Sequence, residues 1–154
     1  MNDFREIIAR LPYQKPFLFV DRLKSLDENR VIGYYRFKKE EYFYRGHFKN
    51  EALTPGVILT ECMAQIGLAC LGIYLNPQLQ TDQAIALSES KMEFLEAVYP
   101  GEEIKVIADK VYWRLGKLKV KAEAFKDQKL CCRGELSGLL IRRDGKIARD
   151  GKKT

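Results

Sequence analysis

Polar and apolar residues follow two periods along this chain, and the change from one to the other marks out its elements. The clearest alternation runs from Lys117 to Phe125. Leu118, Val120, Ala122 and Ala124 fall on one face, with Lys117, Lys119, Lys121 and Glu123 on the other, as in a half-buried antiparallel strand. Strand-like runs also cover 17–26, 31–37, 84–94, 103–113 and 130–141. Turn residues separate several of them: Asp27-Glu28-Asn29, Tyr99-Pro100-Gly101, Leu115-Gly116 and Asp127-Gln128. The first two runs are predicted to form a hairpin. Near the start, Phe4, Ile7, Ile8 and Leu11 recur at helical spacing, with Asp3 as a candidate N-cap and Pro12 and Pro16 as stops.

One stretch is apolar nearly all round. From Pro55 to about Leu75 it carries a single charge, Glu61, with Gln65 four residues later on the same helical face. Thr54 is placed to cap this helix, and Pro55 suits its first position. Its length is that of a membrane span. Glu61 and Gln65 inside the run, and the lack of a comparable second segment or flanking basic cluster, favour burial within a soluble fold. One such helix packs economically if roughly six antiparallel strands curl around it, which is an α+β architecture in one domain spanning 1–154. The tail from about 142 is polar and basic, and Gly145 can turn a short hairpin there. Pairing two copies would bury more of the helix.

Composition adjusts this picture only slightly. Apolar residues at 46% and charged residues at 31% are ordinary for a soluble protein. The Met1 end shows neither an apolar signal region nor an Arg-rich transit pattern, so the cytoplasm is the expected compartment. Four cysteines occur without a CxxC spacing and beside a single histidine, His47, so no metal site is predicted. Cys62 faces about 100° away from Glu61 around the helix and reads as an inert buried thiol. A net charge of +6 suits solubility, and suits equally an acidic partner approached by electrostatic steering. Nucleic acid is not expected, because no binding motif or basic stripe interleaved with aromatics is present.

Four stretches then occur in order: LPYQKPFLFVDR at 11–22, YRGHF at 44–48, PGVILTECMAQ at 55–65 and YPGEEI at 99–104. Together they resemble the hot-dog-fold 3-hydroxyacyl-acyl carrier protein dehydratases of fatty acid synthesis. The specific part is GHF followed by PGV-x-x-x-E. The resemblance implies a sheet wrapped round a central helix and two protomers that join their sheets as a homodimer. It implies an active site at the dimer interface, with the histidine from one chain and the acid from the other. Carried over, these are His47 and Glu61, with the Gly56 amide contacting the thioester carbonyl. The implied partner is acyl carrier protein bearing the substrate on a phosphopantetheine arm, and no cofactor is implied. Some positions depart from the family pattern. Lys49 and Ala52 stand where prolines are usual, Thr54 where methionine is usual, and Tyr13-Gln14 where His-Arg is common. These changes bear on substrate length and shape, and a specialised route such as polyene pigment assembly is compatible with them.

The residue types suit the chemistry. A neutral imidazole can take a weakly acidic C2 proton near neutral pH. A carboxyl group in an apolar pocket favours its protonated form and can donate to the departing C3 hydroxyl. The Gly56 N–H at a helix start can hold the charge that builds on the thioester oxygen. Gln65 reads as orienting Glu61 or a water. Tyr44, Phe48, Val57 and Phe94 are candidates to line an acyl tunnel, although core packing accounts for Tyr44, Phe48 and Phe94 equally well. Two other functions fit the same features: a hot-dog acyl thioesterase, and a non-catalytic acyl-binding module. The histidine of GHF favours dehydration over thioester hydrolysis.

Overall fold

Residues 4–142 are described by the structure, a computed structural model. A short helix α1 (Arg5–Ala9) precedes the strands β1 (Arg22–Leu26) and β2 (Arg30–Arg36). The long helix α2 (Gly56–Leu75) follows, and then β3 (Gln83–Phe94), β4 (Glu103–Arg114), β5 (Lys117–Lys126) and β6 (Lys129–Arg142). All six strands pair antiparallel in one sheet, in the order β1-β2-β4-β5-β6-β3. The sheet wraps α2, whose middle turns meet β2, β3, β4, β5 and β6. This is the α+β hot-dog arrangement.

Alternation in the strands supplies the inner face. Leu118, Val120, Ala122 and Ala124 of β5 are buried, as are Ile104, Val106 and Ala108 of β4. From Cys62 to Ile73 every residue of α2 is buried. Burying each large aliphatic side chain contributes roughly 1.5–3 kcal/mol, so this contact dominates the stability of the fold. By length and composition α2 passes for a membrane span, but here it is the core helix. Close approach of helix and sheet uses two glycines. A Cβ on Gly67 would lie 3.0 Å from the Ala108 side chain, and one on Gly72 would lie 2.7 Å from Ile85. Around Gln65–Cys70 the helix widens into a π turn.

The outer face is charged and ordered. One row across five strands reads Arg30, Asp109, Lys121, Glu135, Lys91, alternating in sign at every strand. The next row reads Glu123, Arg133, Glu93 with the signs reversed. Arg30 bonds Asp109 at 2.6 Å and Arg133 bonds Glu93 at 2.8 Å. Opposite charges facing each other across strands are mildly stabilising.

Three local expectations are corrected. The run at 17–26 is a strand only from Arg22, because the Gln65 side chain takes the backbone of Phe17 and Phe19. Thr54 does not cap α2, since its hydroxyl is engaged by Tyr44, and Pro55 precedes the first helical residue Gly56. The helix near the start is a single turn entered through Phe4 at φ 57°, while Asp3 lies outside the described residues. The basic tail and its Gly145 turn also lie outside them. A 3-10 turn at Tyr42–Arg45 was not foreseen.

Gly134 offers a test of how tightly β3 and β6 meet. A Cβ there would fall 2.1 Å from the Lys91 carbonyl oxygen and 2.5 Å from Met92 Sδ. Gly134→Ala should therefore lower unfolding free energy by about 1–3 kcal/mol in urea titration. Gly46→Ala, with nothing within 4 Å, should leave it nearly unchanged.

Candidate active site

The turn that carries His47 is fixed from both sides. The 3-10 turn before it packs the Phe43 ring against Phe19 and Phe37. The His47 amide donates to the Phe43 carbonyl at 3.0 Å, and the Leu53 amide donates to the His47 carbonyl at 2.9 Å. The imidazole Nδ1 lies 2.8 Å from the Leu53 carbonyl oxygen. A carbonyl only accepts, so Nδ1 carries the proton and Nε2 keeps a free lone pair. His47 lines a groove of about 480 Å³ with Phe48, Leu53, Gly56, Phe94 and Val98.

Gly56 opens α2 at the same groove. Pro55 precedes it in extended conformation, and its carbonyl accepts the amides of Ile58 and Leu59. The Gly56 N–H belongs to the first turn, where donors have no acceptor inside the helix and the dipole is positive. A Cβ at this position would meet the Phe94 ring at 3.1 Å, so any larger residue would press on the ring at the groove floor.

Glu61 stands elsewhere on α2. Five residues on from Gly56, it is turned about 140° around the helix, and it does not line the His47 groove. Gln65 holds it: Nε2 donates to Glu61 Oε2 at 2.9 Å and to the Phe17 carbonyl at 3.0 Å. Gln65 Oε1 accepts the Phe19 amide at 2.8 Å, so this buried amide is satisfied on both ends. Burial raises the Glu61 carboxyl above the ordinary carboxylate range, with the Gln65 bond opposing it. Tyr13 shares this corner. Burial first, then the Glu61 charge, pushes its phenol up to about 12.

The arrangement has known counterparts. The family model for the FabA-like domain matches residues 11–135. The chain is 31% identical over 136 residues to the 3-hydroxyacyl-[acyl-carrier-protein] dehydratase FabZ of Acinetobacter baylyi, covering 87% of this chain and 91% of that protein. It belongs to the FabA-like family. Among solved structures, the dehydratase heterocomplex ApeI:P from Xenorhabdus doucetiae superposes with a TM-score of 0.75 at 12% identity, over 90% of this chain and 93% of that one. The thioesterase HI1161 from Haemophilus influenzae gives a TM-score of 0.56 at 14% identity, over 79% of this chain and 78% of that one. At these identities the two structures speak to the fold alone.

Of the tunnel candidates in this FabA-like chain, Phe48 and Phe94 line the groove and are half exposed. Tyr44 and Val57 do not. Tyr44 is buried beneath the turn, its hydroxyl bonded to Thr54, and Val57 is 77% exposed on the outside of α2. Adjacent helical residues point about 100° apart, which separates Val57 from Gly56. Cys62 faces the core, its Sγ 3.2 Å from the Phe19 carbonyl, and burial raises its thiol well above the usual range. Among the described residues no group of three or more metal-ligating side chains converges. Sequence reasoning missed Leu53, because a backbone carbonyl leaves no mark on residue type. It noted Tyr13 only as a substitution.

The Glu61 shift makes a stability prediction. Its folded pKa lies above the unfolded one, so its contribution is fully present below the ordinary carboxylate range. That contribution is lost as pH rises through the folded value. Glu61→Gln should abolish this loss. The variant should melt above the wild type near neutral pH, with the gap closing as pH falls toward about 4, as followed by calorimetry.

Proposed function

We propose that this protein removes water from 3-hydroxyacyl thioesters carried on acyl carrier protein, giving trans-2-enoyl thioesters in the cytoplasm. One observation carries the reading: a histidine with its Nδ1 proton committed to Leu53 opens onto the same groove as the first turn of α2. His47 Nε2 takes the C2 proton. The electron pair moves toward the thioester carbonyl, whose oxygen the Gly56 N–H holds. Glu61, whose carboxyl burial biases toward its protonated form, gives its proton to the C3 hydroxyl as the C–O bond breaks and water leaves. One proton has then moved onto His47 and one off Glu61, so returning a single proton between them resets the site. A positioned acid or base contributes roughly 10²–10⁴-fold, and one oxyanion donor about 10²–10³-fold.

The two halves belong on different chains in this reading. Glu61 is not in the groove of its own His47, and β3 forms a free edge of the sheet beside that groove. Leu87, Phe94 and Leu95 on and just after this strand are 42%, 50% and 46% exposed. An unpaired edge of this length, with exposed apolar side chains near its middle and its end, invites pairing. A second copy joined there, edge to edge, brings Glu61 of one chain toward His47 of the other and makes two sites per homodimer.

Water loss from a carrier-bound 3-hydroxyacyl thioester, read by mass beside a thiol-release assay, tests the reaction. Loss of water without thiol release is expected, whereas thiol release or neither change refutes it. His47→Ala and Glu61→Ala should each be nearly inactive. Mixed under subunit exchange in equal amounts they should recover about a quarter of wild-type activity, since half the dimers then carry one intact site. Confirmed exchange without recovery would place both residues in one chain's site.

The net charge of +6 supports an acidic carrier as partner. Raising salt from about 0.1 to 0.5 M should lower kcat/KM for carrier-bound substrate more than for a small uncharged thioester. Equal responses would leave the charge to solubility alone.

A further inference from the structure

The His47 turn is closed at its neck by a hydroxyl pair, of which Thr54 borders the groove and Tyr44 does not. The hydroxyls of Tyr44 and Thr54 lie 2.5 Å apart, both nearly sealed from solvent at 7% and 4% exposure. Tyr44 belongs to the 3-10 turn that leads into His47. Thr54 directly follows Leu53, whose carbonyl holds the imidazole, and stands two residues before Gly56. The Thr54 amide also donates to the Val98 carbonyl at 2.9 Å. Thr54 is therefore anchored through both backbone and side chain, between the acceptor of the histidine and the first turn of α2. Removing either hydroxyl leaves the other buried without its partner, and Leu53 is joined to Thr54 by one peptide bond.

We infer that Tyr44 and Thr54 are positioning residues, a hydroxyl clasp that holds the Leu53 carbonyl against His47 Nδ1 and so fixes the Nε2 lone pair beside the Gly56 amide. The inference rests on the dehydratase reading for its kinetic consequence but not for its structural one. A misplacement of about 1 Å in such a site can cost on the order of a hundredfold in rate.

His47 is the only histidine in the chain, so ¹⁵N labelling of histidine gives one imidazole spectrum with no assignment problem. At a pH where the ring is neutral, the wild type should show a pyrrole-like Nδ1 and a pyridine-like Nε2. Thr54→Val and Tyr44→Phe should each average the two nitrogens toward a tautomer mixture, and Thr54→Ser should keep the wild-type pattern. In parallel, both hydroxyl-lacking variants should lose about tenfold in kcat with KM within about twofold, and Thr54→Ser should not. If Thr54→Val fails to fold, Tyr44→Phe, which removes one oxygen, decides. An unchanged nitrogen pattern in the folded variants overturns the clasp, even where kcat falls, because the loss would then be general loosening. A wild type that dehydrates nothing would overturn the reaction proposed above and leave the nitrogen pattern to judge the clasp.

Discussion

A single buried amide ties together the parts of this fold that matter to its chemistry. Gln65 is fully enclosed in the middle of α2, and it bonds the Phe19 amide, the Phe17 carbonyl and the Glu61 carboxyl. A buried polar group with no partner costs several kcal/mol in the worst case, so the helix tolerates this one only while all three bonds stand. The bonds constrain two parts of the chain. Two hold the segment before β1 against the helix, and the third fixes the face of the carboxyl. The π turn begins at this residue, as such irregularities often do at sites with a task.

The histidine half of the site is built on another principle. It is a turn whose backbone closes on itself, with His47 bonded to Phe43 and Leu53 and seated on a cluster of edge-to-face rings. This turn meets the start of α2 at the groove and reaches the helix middle through Phe19, on which Phe43 packs. Glu61 is therefore held by a bond from the buried Gln65, and His47 by the hydrogen bonds of its own loop. The two are set by separate parts of the chain, which suits halves that meet across a subunit boundary.

Much of this was legible in the sequence, and the reasons divide cleanly. Elements whose signal is local were read well: the all-round apolar helix, the alternation of β5, and the turns at 115–116 and 127–128, where Leu115, Gly116 and Asp127 take positive φ. Features decided by a side chain reaching far along the chain were not. Nothing near Phe17 says that Gln65, 48 residues away, occupies its carbonyl, and that contact removes a strand that propensity favours. Thr54 looked like a cap because threonine before proline and glycine usually is one, yet a phenol ten positions earlier claims its hydroxyl. In the candidate site, residue type pointed to His47, Gly56 and Glu61. The partners that orient the histidine, a carbonyl and a pair of hydroxyls, carry no comparable mark. Val57 lies outside the groove of its own chain, and a helix apolar on every side gives no pattern from which to choose a groove face.

The charged rows on the outer face have a consequence for how the sheet finds its pairing. A strand that slips by one residue turns its apolar side chains to water and is rejected at once. A slip of two keeps every side chain on its proper face, so only close packing detects it in the core, as at Gly134, where a Cβ would meet the Lys91 carbonyl. The outer rows add a second check. Shifting β6 by two against β5 sets Lys121 opposite Arg133, or Glu123 opposite Glu135. The same shift against β3 sets Arg133 opposite Lys91, or Glu135 opposite Glu93. In either direction some like charges meet, so the solvent-facing surface adds a penalty to a misalignment that leaves the apolar face inward.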